Sequence, residues 1–174
     1  EEEDRNMYQM TKEYLGEKGY QRYEISNYAR EGFACRHNQV YWQRGDYVGF
    51  GLGAASMVRD VRWSMPESMG AYQDYVEGMP VRVDNLSYRH FPGAHVLTIQ
   101  EQMEEFMFLG LRMMCGVDCR TFDDKFGQEM EAVYGPVIAQ MMSQGLIQKE
   151  GERIKLSDRG IDVSNYVMAE FLFE

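Results

Sequence analysis

Four polar and aromatic side chains lie close together in the sequence, at His37, Asn38, Tyr41 and Trp42. In a helix, residues three or four apart share a face, so positions 38, 41 and 42 would present an amide, a phenol and an indole together. Aromatic rings stack on a planar ligand while their polar tips orient it. The pattern therefore predicts a site for a planar ligand on one helical turn. The alternative is a buried aromatic anchor whose polar groups are satisfied within the protein.

A glycine-rich run over residues 46–57 is the second candidate site. Its small residues are Gly49, Gly51, Gly53 and Ala54, and the apolar residues between the glycines are Val48, Phe50 and Leu52. This alternation predicts a strand with one apolar core face and one face of bare backbone. Glycine inside a strand marks a close approach by a ligand or by another backbone, so a ligand face and a bulge with tight packing both stay open. A dinucleotide site is not predicted, because no βαβ unit follows the run.

The three cysteines predict reduced thiols rather than disulfides or metal ligands. Cys115 and Cys119 have a spacing found in iron–sulfur proteins, but Phe122 stands where a further thiolate would be needed. Cys35 and His37 lack a second pair of zinc ligands at a suitable spacing. The sequence therefore predicts no metal site of its own.

The first half of the sequence alternates helical and strand patterns. Apolar periodicity predicts a helix over 5–19 and a helix over 66–78. A strand is predicted over 20–26, because Tyr23 and Ile25 alternate with a polar side formed by Arg22, Glu24 and Ser26. The polar connection 27–45 carries the first candidate site, and 79–97 is predicted to be an exposed crossing segment. A helix followed directly by a strand is typical of an α/β layer.

From Thr98 onward the sequence predicts a mostly helical region. Thr98 and Glu101 form a capping box before an apolar helix that runs through Met114. The later predicted elements are a helix over 118–126, a helix over 128–144, strands over 146–149 and 153–156, and a last helix capped by Ser157. Together they predict an α+β protein with a first domain at 1–97 and a winged-helix-like domain at 98–174.

The composition describes a folded, acidic chain. Its 174 residues carry a net charge of −10, and 44% of them are hydrophobic, which is enough for a packed core in one or two small domains. Residues 98–174 hold seven basic and fourteen acidic side chains, the opposite of what a groove-reading helix needs. No apolar run is long enough for a membrane span. We therefore expect a cytoplasmic protein that binds no nucleic acid.

Three runs of residues keep an order and spacing specific to a known family. They are Tyr23-Glu24-Ile25-Ser26-Asn27-Tyr28-Ala29, Cys35-Arg36-His37-Asn38-x-x-Tyr41-Trp42 and Gly45-Asp46-Tyr47-x-Gly49-Phe50-Gly51-x-Gly53-Ala54. They resemble the carboxy-terminal half of oxygen-independent coproporphyrinogen III oxidase-like radical SAM proteins, and the second run resembles the heme chaperone branch. Residues 98–174 resemble the carboxy-terminal domain of the same family.

The resemblance implies a radical SAM partial (β/α) barrel, of which residues 1–97 would be the last part. Such a barrel binds a [4Fe–4S] cluster and S-adenosylmethionine, and the heme chaperone branch binds heme or porphyrin and delivers it to a recipient apoprotein. The glycine face would then look into the barrel near S-adenosylmethionine. The four side chains of the first candidate site would border the porphyrin or heme.

The sequence departs from the family in one respect, because the Cys-x-x-x-Cys-x-x-Cys cluster motif is absent. We therefore expect the carboxy-terminal part of a longer protein, inactive alone, without a cofactor of its own and inclined to self-associate through exposed apolar surface. Two alternatives remain open. The parent is a true oxygen-independent coproporphyrinogen III oxidase of porphyrin biosynthesis, or residues 98–174 act as a winged-helix protein-interaction module.

Overall fold

A computed structural model describes residues 2–78 and 91–173 as a mixture of helices and short antiparallel sheets. In chain order the helices are α1 (Glu2–Glu17), α2 (Arg36–Trp42), α3 (Met69–Gly78), α4 (Ile99–Gly110), α5 (Cys119–Phe126), α6 (Met130–Ser143), α7 (Asp158–Asp162) and α8 (Ser164–Ala169). The strands are β1 (Gln21–Arg22), β2 (Tyr28–Ala29), β3 (Ala55–Val58), β4 (Val61–Ser64), β5 (His95–Val96), β6 (Val117–Asp118), β7 (Ile147–Glu150) and β8 (Arg153–Leu156). Most of the predicted crossing segment, including His90, lies outside the described residues.

Packing divides the chain into two compact units. The larger unit combines Glu1–Arg44 with Met103–Glu174, and the smaller unit is Gly45–Gln102. These two units are defined by which residues pack together. The predicted boundary between residues 97 and 98 separates domains of the family instead, and it stays a prediction. None of the described helices has the length and apolar character needed to cross a membrane.

The core of the larger unit is formed by the helices and the hairpin that follow residue 102. Its most deeply buried side chains are Met107, Leu111, Phe122, Met130, Met141, Ile154, Val167 and Phe171. Strands β6, β8 and β7 form an antiparallel sheet in that order, with Val117 opposite Ile154 and Ile147 opposite Leu156. The apolar periodicity of this region therefore forms one packed core, as the sequence predicts.

Helix ends in the larger unit follow the predicted capping residues. The side chain of Asp118 accepts a hydrogen bond from the Thr121 amide at 3.0 Å, and Ser157 Oγ accepts one from the Gly160 amide at 2.9 Å. Both bonds satisfy amides that a helix leaves without partners in its first turn. The predicted closing helix is wrong in one detail, because the backbone leaves helical geometry at Val163 and gives α7 and α8.

The predicted strand over residues 20–26 is shorter in the structure. The Tyr23 amide donates to the Asn27 carbonyl at 3.1 Å, which closes a tight turn and lets β1 pair with β2. Beyond β1, the Ile25 amide donates to the Arg112 carbonyl at 3.0 Å and the Met114 amide donates to the Tyr23 carbonyl at 3.1 Å. These bonds fix residues 23–25 beside the segment that follows α4.

The smaller unit is built around the antiparallel sheet β3-β4-β5. Arg59 and Asp60 both have left-handed backbone, with φ of 49° and 62°, which is the geometry of a two-residue hairpin turn. Trp63 is 3% exposed and its ring stacks on that of Phe91 at 4.1 Å. The capping box is confirmed at Thr98, whose amide donates to Glu101 Oε2 at 2.7 Å; α4 then ends at Gly110 rather than at Met114.

The predicted strand through the glycine run is wrong. Regular strand begins only at Ala55, and the apolar residues Val48, Phe50 and Leu52 are 51%, 86% and 45% exposed rather than buried. Gly51 and Gly53 have φ of 98° and 63°, and such left-handed backbone breaks the alternation of faces on which the prediction depended. The run is therefore a looped segment before β3.

Candidate functional site

Helix α2 carries the first candidate site, and its helical geometry is as predicted. His37 and Tyr41 are one turn apart, with His37 Nε2 3.0 Å from the Tyr41 hydroxyl. Their rings meet edge to face, with centroids 4.8 Å apart. This is an i,i+4 contact, whereas the group predicted to share a face was Asn38, Tyr41 and Trp42. His37 is exposed and Tyr41 is half-buried.

Asn38 has a different partner from its neighbours on α2. Its side-chain nitrogen donates to the Tyr23 hydroxyl at 3.3 Å, and the contact is half-buried. The amide therefore helps to hold α2 against residues 23–25. Within the larger unit the structure brings His37 and Tyr41 together and directs Asn38 to a separate contact.

Trp42, the last residue of α2, packs against a cation. The guanidinium carbon of Arg112 lies 4.3 Å from the centre of the indole ring, which is a close cation–π contact. The indole Nε1 is buried and has no hydrogen-bond partner among the described residues. The ring is therefore held by its face, and its only polar atom is enclosed by the protein.

Arg112 is in turn held by Glu24, which the sequence analysis placed on the polar side of a strand. That prediction is wrong, because the Glu24 side chain is 0% exposed. One carboxylate oxygen accepts the Ser26 amide at 2.9 Å and the Asn27 side chain, and the other lies 3.4 Å from Arg112 Nη2. A buried carboxylate needs such donors to offset its lost hydration. One sequence feature could have indicated the importance of Glu24, namely its position within the family-specific run of residues 23–29.

A second buried ion pair fixes the carboxyl end of α2. Arg44 Nε donates to Glu105 Oε2 at 2.9 Å, and the two side chains are 1% and 8% exposed. Arg44 has left-handed backbone, with φ of 56°, an uncommon conformation for a side chain of this size. Sequence reasoning missed both residues, because nothing in the spacing of Arg44 and Glu105 indicates that they meet.

A cavity of about 330 Å³ lies beside Trp42 within the larger unit. Its lining residues are Trp42, Gln43, Arg44, Phe106, Gly110, Met113, Cys115, Gly116, Val117, Asp118, Thr121 and Arg153. Most of the lining is apolar. Its charged residues are Arg44, which pairs with Glu105, and Arg153 and Asp118, whose Nη2 and Oδ2 lie 3.7 Å apart. Apolar walls with a few placed polar groups are typical of small-molecule sites, and the volume lies at the lower end of their range. We call this space the Trp42 cavity.

The glycine run, the second candidate site, belongs to the smaller unit. A Cβ added at Gly49 would lie 2.3 Å from the Ala55 carbonyl oxygen, so Gly49 is required by close backbone packing. The Gly49 amide donates to Ser56 Oγ at 3.0 Å, and the Gly53 amide donates to the Pro66 carbonyl at 3.0 Å. Gly51 has no atom within 4 Å of its added Cβ, and Ala54 is half-buried. Open backbone is therefore confined to the tip of the run.

The cysteines are free thiols. Cys35 and Cys115 are exposed and Cys119 is half-buried, where burial raises the pKa of its thiol. Among residues 2–78 and 91–173, no three His, Cys, Asp or Glu side chains are grouped so that they could hold a metal ion. These residues do not fit a [4Fe–4S] cluster.

Residues 97–163 match a known family, the HemN C-terminal domain. Along its whole length the chain is 32% identical to the heme chaperone HemW of Lactococcus lactis subsp. lactis (strain IL1403), covering 43% of that protein. It is 31% identical, again over its whole length, to the heme chaperone HemW of Bacillus subtilis (strain 168), covering 44% of that protein. The chain thus spans less than half the length of the curated relatives it matches.

One solved structure with a similar fold is the coproporphyrinogen III oxidase HemN from Escherichia coli, described as a radical SAM enzyme. The TM-score is 0.67 and the sequence identity 16%, over 94% of this chain and 39% of the solved chain. At this identity the similarity shows the fold. It confirms the mixed helix-and-sheet class. The resemblance drawn from the runs of residues is confirmed by the family match and by the relatives named heme chaperone.

Proposed function

Because the chain belongs, through residues 97–163, to the coproporphyrinogen III oxidase-like family with the HemN C-terminal domain, we propose that it is the carboxy-terminal part of a heme chaperone. The observation that carries the proposal is the match of the whole chain to proteins named heme chaperone, at 31% and 32% identity. Heme or a related porphyrin is then cargo, received by the parent protein and passed to a recipient apoprotein.

We place the heme at α2 and the Trp42 cavity. The His37 ring is exposed, and its Nε2 contacts the Tyr41 hydroxyl. Its Nδ1 has no hydrogen-bond partner among the described residues, so this nitrogen is available to iron. The indole of Trp42 offers a stacking surface for a planar macrocycle. Arg153, which lines the cavity and is 48% exposed, supplies a cation for a porphyrin carboxylate, which would compete with Asp118 for it. Asn38 serves to position α2.

The other cofactors of the family are assigned to the parent protein. Bound S-adenosylmethionine and a [4Fe–4S] cluster would supply radical chemistry. We propose that Gly49, Gly51, Gly53 and Ala54 border S-adenosylmethionine, and the open backbone at Gly51 supports this placement. The cysteines of this chain do not fit the cluster, so we assign none of its residues as cluster ligands. We assign no catalytic activity to the chain alone.

We further propose that residues 98–174 have winged-helix-like architecture and that residues 1–97 are the last part of a radical SAM barrel. The order helix, strand, two helices and hairpin from α4 to β8 supports the first proposal. With seven basic against fourteen acidic side chains, this domain is suited to contact with protein rather than nucleic acid. It is therefore a candidate surface for the recipient apoprotein.

A second candidate function is oxygen-independent coproporphyrinogen III oxidation by the parent protein. The fold similarity to the Escherichia coli oxidase favours it. Both functions need a tetrapyrrole site, so binding alone does not separate them. Turnover of coproporphyrinogen III by the reconstituted full-length protein would establish the oxidase, and stable heme binding without turnover would establish the chaperone.

Hemin titration followed at the Soret band tests the proposed heme site. We expect weak binding by this chain, and affinity about tenfold lower in His37→Ala and in Trp42→Ala, because each substitution removes a direct contact. His95→Ala is the matched control, since His95 is also exposed but belongs to the smaller unit and pairs with Glu101. Equal losses in His37→Ala and His95→Ala would contradict the site. Absence of heme binding by the full-length protein would contradict the function.

A further inference from the structure

We propose that the larger unit has a second ligand site, a polar cleft of about 770 Å³ that binds a small multivalent oxyanion. The cleft lies between α1, β1 and the junction of α7 with α8. Its charged lining residues are Arg5, Lys12, Arg22, Arg112, Asp158 and Asp162. The inference does not depend on the proposed heme chemistry, because the cleft shares no lining residue with the Trp42 cavity.

The lining of this cleft is positive although the chain as a whole is acidic. Four cations face two carboxylates, and each carboxylate already has a cationic partner on α1. Lys12 Nζ lies 2.8 Å from Asp158 and Arg5 Nε lies 3.6 Å from Asp162. Lys12 lowers the pKa of Asp158 through its hydrogen bond and its charge, and the charge of Arg22 lowers it further. Arg22 and Arg112 supply the remaining positive charge of the lining, part of which Glu24 offsets at Arg112.

Arg22 is a fixed cation that forms no ion pair with a carboxylate among the described residues, although its charge also lowers the pKa of Asp158. Its Nε and Nη2 both donate to the Tyr28 hydroxyl, the first at 2.9 Å, and its guanidinium carbon lies 5.1 Å from the centre of the Tyr28 ring. These contacts hold the guanidinium in one orientation, but a neutral phenol does not cancel its charge. A cation held in place binds an anion at a lower cost in conformational entropy than a flexible one.

Arg112 brings a second guanidinium to the same cleft. Its Nη2 contacts buried Glu24 at 3.4 Å, its face lies on Trp42, and its Nε is buried without a hydrogen-bond partner among the described residues. The side chain as a whole is 24% exposed and lines the cleft, so a ligand oxygen can approach its charge there. Ser164 and Asn165, which also line the cleft, add neutral hydrogen-bonding groups.

Two guanidinium groups that line one cleft favour ligands that accept hydrogen bonds and carry negative charge. Phosphate and carboxylate oxygens match this arrangement, and a ligand with two or more charges can engage Arg22 and Arg112 together. A monovalent anion cannot do so to the same extent. The shared chemistry is therefore that of a multivalent oxyanion, either inorganic phosphate or a small polycarboxylate.

Calorimetric titration of this chain at low ionic strength, with inorganic phosphate and separately with citrate, tests the site. We expect saturable 1:1 binding of one or both probes, and affinity about tenfold lower in Arg22→Gln. Tyr28→Phe keeps the charge of Arg22 but removes the phenol that orients it, and a smaller loss is expected there. Arg120→Gln is the matched control, since Arg120 is 75% exposed, pairs with Glu152 and lies outside both cavities.

Each outcome has a definite meaning. Binding of phosphate alone or of citrate alone supports the site and identifies the ligand class, and a change in Trp42 emission that is lost in Trp42→Phe locates the ligand beside Arg112. No saturable binding up to about 10 mM of either probe would overturn the proposal. So would equal effects of Arg22→Gln and Arg120→Gln. Unchanged hemin affinity in Arg22→Gln would separate this result from the test of the heme site.

Discussion

The two segments that the sequence marks as candidate sites are held in opposite ways. Helix α2 is fixed to the larger unit through Asn38 on Tyr23, Trp42 on Arg112, and the adjoining residue Arg44 on Glu105. The glycine run of the smaller unit is a loop with three exposed apolar side chains, fixed chiefly through backbone contacts of Gly49 and Gly53. Helix α2 is thus supported by two ion pairs with buried carboxylates, Arg112–Glu24 and Arg44–Glu105, and the glycine run by backbone contacts.

Local geometry explains the difference. The i,i+4 contact of His37 with Tyr41 follows from the geometry of the helical turn on which the sequence analysis placed these residues. Alternation of faces along a strand requires a neighbouring strand, and glycine is free to leave that geometry. Gly51 and Gly53 do so, with positive φ. The spacing of residues therefore predicts the helical turn of α2 correctly but does not predict the loop formed by the glycine run.

Loss of Glu24 should have the largest effect. Glu24→Ala leaves Arg112 without its buried counter-charge and leaves the Ser26 amide without its acceptor, so we expect about 3–5 kcal/mol lower free energy of unfolding. Urea denaturation followed by circular dichroism measures it. The control is Glu152→Ala, which breaks the exposed pair with Arg120 and should cost less than about 1 kcal/mol. Similar losses in both variants would show that the buried pair does not anchor α2.

Gly49→Ala tests the one position at which the glycine run is tightly packed. The added methyl group would lie 2.3 Å from a backbone oxygen that cannot move independently, so we expect a loss of about 1–3 kcal/mol. Emission of Trp63 in a Trp42→Phe background reports on the smaller unit. Gly70→Ala is the control, since Gly70 lies in α3 with open space around it. A tolerated Gly49→Ala would mean that the whole run is loosely held.

Removal of the capping hydroxyl should have a smaller effect. Thr98→Ala takes away the acceptor for the Glu101 amide, at 3.2 Å, and should lower stability by about 1 kcal/mol. Thr98→Ser keeps the hydroxyl and should restore most of the loss in the same urea experiment. An equal loss in the serine variant would assign the effect to the methyl group instead.

The smallest effect is a pH dependence from the same capping box. Hydrogen bonds from the Thr98 backbone and from His95, together with the Thr98 hydroxyl, lower the pKa of Glu101 to about 2. Because the folded pKa lies below the ordinary value of 4.5 for a glutamate, this contribution to stability is present above about pH 4.5 and is lost as the pH falls toward 2. Glu101→Gln should flatten that part of the profile of urea midpoint against pH. An unchanged slope would contradict the lowered pKa.

Much of the fold is predictable from short-range signals. Asp118, Ser157 and Thr98 cap the helices that their positions predict, and the turn around Gly151 gives the predicted hairpin of β7 and β8. These features depend on hydrogen bonds that span only a few residues. The boundaries are less accurate, as at Val163, because contacts with the core decide where a helix stops.

The candidate site is only partly predictable for the same reason. The sequence predicts His37, Asn38, Tyr41 and Trp42 as a group. It places Glu24, however, on the polar side of the strand predicted over 20–26. Glu24 is buried because residues 23–25 pair with the backbone beside Arg112, 88 positions along the chain. A rule based on alternating faces has no access to such a long-range pairing.

By itself the sequence determined the acidic charge, the capped helices, the hairpin, the helical spacing in α2 and the family to which the runs of residues are similar. Only the tertiary structure decided that Glu24 and Glu105 are buried partners of Arg112 and Arg44, that the glycine run is a loop, and that a positive cleft lies beside α1. The physical reason is range. Caps and helical pairs form within a few residues, whereas the burial of a charge depends on which distant segments pack around it.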